Sequence, residues 1–337
     1  KNLNKKIFAI GPFATNMPHL YNDAGATVIS GEPEFYFIKD QNFDDDLSKK
    51  IINVNYDTLL DDLPYPKWDE MDNEILNIKL YGNFKTIPII ATRGCPFSCS
   101  KYCVYPLQQG TKVRQRSVKN IVDEIEYWKK MHSVKMFVFR DPVFSINKKH
   151  TLELCNEIIN RKIQINFVIE THLKILNSNL ILKLKEAGLS AVKVGIESSD
   201  SEVLKNESRY TVEKDEQLEK IRELENNKIK VSSMYIIGFP SDNEKTINST
   251  INYAKKLNTT YAQFSVWTPY PGTPVFKEYD NKITEDKYEN FDQYRLVYKH
   301  DIFDKKKISF FLNKAYSKYY SRLSWLFKYL FVFYIAK

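Results

Sequence analysis

The chain has 337 residues, 43% hydrophobic and 27% charged, and its 50 Lys and Arg against 42 Asp and Glu leave a net charge of +8. That balance describes a globular protein longer than one typical domain and excludes a disordered or fibrous chain. The lysines are scattered among Asn, Ile and Tyr without a dense basic run, so the charge is a compositional bias and no nucleic-acid partner is expected.

The sequence starts at Lys1, and Lys6 to Ile10 reads as a buried strand running into Gly11-Pro12-Phe13-Ala14-Thr15. A short amphipathic helix follows from Met17 to Asp23, with Gly25 suited to its C-cap. Ala26 to Ser30 is strand-like and leads into Gly31-Glu32-Pro33-Glu34. Residues 41 to 84 carry Asp44-Asp45-Asp46 and Asp61-Asp62-Leu63-Pro64-Tyr65-Pro66 with few regular patterns, which predicts an extended linker.

From Lys85 the pattern becomes strands and helices in alternation, the spacing of a parallel α/β fold. Strands are predicted at Thr86 to Thr92, Lys135 to Arg140, Gln164 to Ile169, Ala191 to Ile196, Lys230 to Ile237 and Ala262 to Trp267. Helices fall between them at Ser117 to Lys130, Lys148 to Asn160, Asn179 to Ala187, Val212 to Asn226 and Glu244 to Leu257. Six such units predict a partial (β/α)6 barrel over 85–275, closed by Pro269-Tyr-Pro-Gly-Thr-Pro274. In the tail, 276–337, Leu312, Tyr316, Tyr319, Leu323, Phe327, Leu330 and Tyr334 repeat on a helical period. The apolar end from Trp325 to Ala336 is shorter than the ~20 residues a membrane span needs, so a helix docked across the barrel is expected, with no transmembrane segment.

Chemistry concentrates in Ala91-Thr-Arg-Gly-Cys95-Pro-Phe-Ser-Cys99-Ser-Lys-Tyr-Cys103, which holds three of the four cysteines within nine residues. Gly94 and Pro96 keep this backbone out of a helix so that it can wrap a centre. Three thiolates suit a soft metal. A structural zinc site wants a second ligand pair, which is lacking, and a disulfide would strand one thiol. An iron–sulfur cluster accounts for the triad better than zinc or ordinary cysteines, and three ligands leave one iron open to a small molecule. Cys155 falls within an amphipathic helix and is expected to be buried and inert. The loop leaves the C-terminal end of the first barrel strand, where parallel barrels place their chemistry. Asp141, Glu170 and Glu197 end three successive strands and are expected on the same rim. His172 is a candidate substrate or SAM contact, although a solvated or core-satisfied histidine is the commoner outcome at such a position. Arg114 and Arg116 are candidates to pair with a carboxylate.

The cysteine loop resembles the cluster loop of radical S-adenosylmethionine (SAM) enzymes. The surrounding chain resembles the subgroup with an N-terminal cobalamin-binding module, which includes anaerobic magnesium-protoporphyrin ester cyclases and carbon methylases. The family pattern is C-x3-C-x2-C with an aromatic residue before the last cysteine. Tyr102 supplies the aromatic, while Ser100, Lys101 and Tyr102 make the second gap x3. The resemblance implies that Cys95, Cys99 and Cys103 hold a 4Fe-4S cluster whose open iron binds SAM. Reductive cleavage of SAM then yields a 5′-deoxyadenosyl radical for cobalamin-assisted methylation or oxidative cyclisation at an unactivated carbon. Among the rim residues it implies SAM contacts for Glu197 in Gly195-Ile-Glu-Ser, for Glu170 and for Asp141, although the usual Gly-Gly-Glu is absent. Gly238 and Pro240, with Glu244 nearby, match the segment beside the adenine.

Residues 1–40 resemble the last third of the Rossmann-like cobalamin-binding domain, including its Gly-Glu-x-Glu turn. The Asp-x-His-x-x-Gly that carries the cobalt's lower ligand is absent. A truncated sequence or a relict capping element both fit, and cobalamin is expected only with a complete domain. The implied partners are a small-molecule or lipophilic substrate and a flavodoxin, ferredoxin or reductase as electron donor. The implied setting is an anaerobic cytoplasm. Two rivals stand beside this reading: a transfer RNA methylthiotransferase and a degenerate barrel serving as a binding scaffold.

Overall fold

The computed structural model describes residues 7–38, 50–54, 59–71, 85–97 and 101–327. Cys99, the middle cysteine of the loop, lies outside the described residues, as do 328–337 of the tail.

The chain opens with β1 (Phe8–Ala9), α1 (Pro12–Asn16), α2 (Pro18–Asp23), β2 (Thr27–Ser30) and α3 (Pro33–Phe37). The two strands expected here acquire a third. β3 (Ile51–Asn53) comes from the stretch read as linker and pairs parallel with β2, which pairs parallel with β1. Ile52 is the buried residue of β3 and joins Ile29 and Tyr36 in a small core. Two isoleucines and an asparagine give too short a pattern to read as a strand from sequence.

The main body is a six-stranded, all-parallel sheet in which chain order is spatial order. Its strands are β4 (Thr86–Ile89), β7 (Met136–Phe139), β8 (Asn166–Glu170), β9 (Leu189–Glu197), β10 (Lys230–Ile237) and β11 (Tyr261–Val266). The short pair β5 (Thr92–Arg93) and β6 (Arg114–Gln115) runs antiparallel between β4 and β7. With α4 (Tyr105–Gln109), α5 (Val118–His132), α6 (Lys148–Asn160), α7 (Ser178–Glu186), α8 (Ser201–Asn206), α9 (Lys214–Asn226) and α10 (Glu244–Leu257), this is the expected (β/α)6 partial barrel. Ser117 caps α5, its side chain accepting the Asn120 N–H at 3.1 Å. The six-residue α8 is an addition to the predicted elements.

Alternation along each strand divides the sheet. Phe137, Phe139, Phe167, Ile169, Val192 and Val194 face the helices in one continuous core, whereas Met136, Val168 and Ala191 make a separate cluster on the other face. Cys155 is buried in the helical core, and burial pushes its thiol up to about 12, so it stays protonated and unreactive as expected.

An open parallel sheet leaves edge strands with unpaired backbone groups. After α11 (Pro274–Glu278), the tail helix α12 (Lys305–Tyr320) covers the β11 edge. Tyr316 OH accepts the Phe264 N–H at 3.2 Å and donates to the Phe264 carbonyl at 3.0 Å. Tyr320 OH treats Ala262 in the same way at 3.0 and 2.9 Å. The docked helix expected from the tail is therefore a strand substitute made of tyrosine hydroxyls. No helix among the described residues is long and apolar enough to cross a membrane.

Candidate active site

The cysteine loop is pinched at its base by the β5–β6 pair, with Thr92 opposite Gln115 and Arg93 opposite Arg114. Gly94 has φ +90°, and a Cβ there would lie 2.1 Å from the Lys112 carbonyl oxygen, so only glycine fits this crossing. The Gly94 N–H donates to Gln109 Oε1 at 3.2 Å and the Cys95 N–H donates to the Gly110 carbonyl at 3.1 Å. Cys95 is buried and Cys103 half-buried.

Both thiols line a cavity of about 140 Å³ at the C-terminal ends of β8, β9 and β10, together with Tyr102, Glu170, Glu197 and Arg209. Three of the residues singled out from sequence on the rim or loop, Tyr102, Glu170 and Glu197, thus meet Cys95 and Cys103 on this cavity. Among the described residues neither the buried Tyr102 hydroxyl nor Thr171 Oγ1 on the same wall finds a hydrogen-bond partner. Native interiors rarely leave such atoms unpaired. Two orphaned hydroxyls, two thiols and two carboxylates on one cavity are a donor set that fits a polar, metal-bound ligand, and it is the chemistry an iron–sulfur cluster with SAM would satisfy.

Glu197 is set by a local irregularity. The β9–β10 register shifts so that Gly195 opposes Met234 and Glu197 opposes Tyr235, and Glu197 takes φ +63°. Bulges of this kind re-aim a side chain, and a non-glycine residue with positive φ is held at a cost by its surroundings. Arg209 pairs with Glu197 at 3.1 Å and pulls its carboxyl down, but burial is the larger effect and the carboxyl lies above its ordinary value. Glu170 is also raised by burial, against the pull of Lys193 and Arg140. Arg209 was not among the sequence candidates. The signal for it was the need of a buried rim carboxylate for a cation.

The remaining candidates take other places. Asp141 is fully buried behind the rim, where its carboxylate accepts the Ala91 N–H at 3.2 Å and a further bond from the Thr92 N–H. It holds the start of the cysteine loop and does not line the cavity. Gly238 and Pro240 also lie off the cavity wall, on the loop after β10, and the intervening Phe239 packs against Tyr102 at 6.0 Å between ring centroids. The Gly238 carbonyl accepts the Tyr298 hydroxyl at 2.9 Å, and His300 Nε2 donates to the Phe239 carbonyl at 2.9 Å. His172 does reach the cavity. Its Nδ1 accepts the Lys174 N–H at 3.2 Å, so Nε2 carries the proton donated to the Tyr210 carbonyl at 3.1 Å, and burial keeps the ring neutral. Phe97 stacks on Tyr210 beside it, with centroids 5.8 Å apart.

A larger open cleft of about 640 Å³ lies behind Arg209. Two of its buried hydroxyls are already committed: Ser198 pairs with Thr250 at 3.2 Å and Ser199 donates to Ser249 at 3.0 Å. We place the chemistry in the smaller cavity.

The N-terminal unit reaches the barrel through packing contacts and ion pairs. Gly272 packs so closely on Asn16 that a Cβ would lie 2.4 Å from the Asn16 Cβ, and Phe13 meets Tyr288 edge-on at 5.2 Å. Arg114 pairs with Glu32 in this unit, and Arg116 pairs with Glu124 at 2.6 Å, so both arginines do find carboxylates.

Comparison with known proteins agrees with this geometry. Residues 89–254 match the model of the radical SAM superfamily. An uncharacterised methyltransferase of Pyrococcus horikoshii is 28% identical over 98% of this chain and 76% of its own length. The anaerobic magnesium-protoporphyrin IX monomethyl ester cyclase of Rubrivivax gelatinosus is 28% identical over 67% of this chain, which spans 42% of that enzyme. Among solved structures, the cobalamin-dependent SAM radical enzyme OxsB with aqua-cobalamin bound aligns over 92% of this chain and 53% of its own, with a TM-score of 0.60 at 13% identity, a likeness of fold. The chain thus spans about half the length of these last two proteins. Residues 89–254, from the end of β4 through α10, are thus similar to the radical SAM superfamily, and a six-stranded parallel sheet with the cysteine loop following its first strand agrees with that likeness.

Proposed function

We propose that Cys95, Cys99 and Cys103 hold a 4Fe-4S cluster and that the cavity beside Cys95 and Cys103 binds SAM. The observation that carries this is the convergence of Cys95, Cys103 and two partnerless hydroxyls on one cavity at the strand ends. Held by these thiolates, a cluster would supply the one-electron reducing chemistry by which SAM becomes a source of radicals able to act on an unactivated carbon.

The chain's own residues bind, orient and exclude water. Glu197, fixed by Arg209, and Glu170 present carboxylates to the cationic and hydroxyl groups of SAM. Tyr102 and Thr171 offer hydroxyls, and Phe97, stacked on Tyr210, gives the cavity an apolar side. Asp141 steadies the loop entry from behind.

The reaction we assign is methylation or oxidative ring closure at carbon, on a small or lipophilic substrate, in an anaerobic cytoplasm and with a flavodoxin, ferredoxin or reductase as electron donor. Cobalamin assists where the N-terminal domain is complete. A methyltransferase and an ester cyclase among the relatives support this choice.

The test is anaerobic reconstitution, a count of iron and sulfide, and dithionite-dependent conversion of SAM to 5′-deoxyadenosine. About four irons, with cleavage lost in Cys99→Ala, is the expected result. Little iron and no cleavage would sink the proposal and leave the barrel as a scaffold.

A further inference from the structure

We propose that Glu32 is a positioning residue for the cysteine loop: from the N-terminal unit it clamps both strands of the hairpin that closes the loop. Its two oxygens lie 2.5 and 2.8 Å from the Arg114 guanidinium, and Oε2 also lies 3.1 Å from Arg93. Arg93 and Arg114 are the residues that face each other across β5 and β6. Glu34 makes a second ion pair with Arg93. The Glu32, Arg93 and Arg114 side chains keep only 5%, 15% and 9% of their exposure, so the pairs are shielded from water.

The clamp matters because the hairpin is weak by itself. Two strands of two residues cannot hold together unaided, and two guanidiniums opposite one another repel. Glu32 turns that repulsion into a bidentate, charge-assisted closure. The carboxylate has little freedom, since the Gly31 N–H before it donates to Thr15 Oγ1 at 3.2 Å and Pro33 after it begins α3. From Arg114 the constraint passes through Gln109 to the backbone beside Cys95. Arg114 donates to the Gln109 carbonyl at 3.1 Å, Gln109 accepts the Gly94 N–H, and Cys95 follows on the same strand exit. The unit that resembles part of a cobalamin domain therefore sets the path of the loop read as the cluster loop, and the inference rests on that reading for its catalytic meaning.

The test uses the full chain. In its metal-free form, amide hydrogen exchange is followed for wild type, Glu32→Gln, Glu32→Asp and the control Glu34→Gln. We expect Glu32→Gln to speed exchange at least about tenfold across 92–95 and 110–116, to leave β8 to β10 unchanged, and to be partly rescued by Glu32→Asp. After reconstitution, Glu32→Gln should release iron to a chelator several-fold faster, and its reduced-cluster resonance should respond less to added SAM. Unchanged exchange in the hairpin, or acceleration spread equally over the whole barrel, would overturn the clamp. A hairpin loosened by Glu32→Gln in a protein whose wild type takes up no iron would uphold the clamp and overturn the cluster reading instead.

Discussion

The Glu197 carboxylate and the Arg209 guanidinium, 3.1 Å apart, share the space above Gly195, where a Cβ would lie 2.5 Å from Glu197 Oε1 and 2.7 Å from Arg209 Nη2. Gly195 is thus the vacancy that lets a bulged strand present an ion pair to the cavity. Gly195→Ala should displace the pair, destabilise the protein by about 1 to 3 kcal/mol and weaken SAM binding about tenfold. Urea unfolding and equilibrium dialysis check the two effects. Unchanged SAM affinity would separate Glu197 from cofactor binding.

Asp141 carries a pH signature. Burial pushes its carboxyl up to about 6 from an ordinary 3.8, against the hydrogen bonds from Thr92 and Ala91. The folded state then holds the proton more tightly than the unfolded state, so this group's contribution is complete below pH 3.8 and is lost as pH rises through 6. The unfolding free energy of wild type relative to Asp141→Asn should grow as pH is lowered from 7 to 4, by on the order of 3 kcal/mol at full extent. A difference flat across that range would show that Asp141 titrates normally.

Tyr316 and Tyr320 each both donate to and accept from one residue of the β11 edge. Either Tyr→Phe change leaves an N–H and a C=O of the sheet edge without a partner. We expect a loss of about 1 to 3 kcal/mol for each, seen as a lower urea midpoint, with more aggregation in the double variant as the edge is bared. Phenylalanine variants as stable as wild type would mean that water replaces the hydroxyls.

At Gly94, an added methyl meets the Lys112 carbonyl at 2.1 Å on a backbone with φ +90°. Gly94→Ala should therefore reroute the loop base while sparing the barrel core. Iron uptake should fall well below that of wild type with far-ultraviolet circular dichroism unchanged. Full iron uptake would falsify the view that this crossing positions Cys95.

Much of the barrel was legible in the sequence because its signals are local. Strand and helix periods, Ser117 as a cap and a cysteine loop at a strand end each need only a few neighbouring residues. The direction in which a strand-end carboxylate points is not local. Asp141 and Glu197 look alike in sequence, yet one turns back to the backbone of Ala91 and Thr92 while the other, displaced by a bulge, enters the cavity. Nor could chain order reveal that Ile51–Asn53 would find β2, since three residues have no periodicity to read.

By itself, then, the sequence determined the parallel barrel, the thiol loop and the tail helix, because hydrophobic period and cysteine spacing are written along the chain. Only the tertiary structure decided that Arg209 would answer Glu197, that tyrosines would finish an open sheet edge and that Glu32 would grip Arg93 and Arg114. Each of those depends on buried charge or unpaired backbone finding a partner in space, which separation along the chain does not encode.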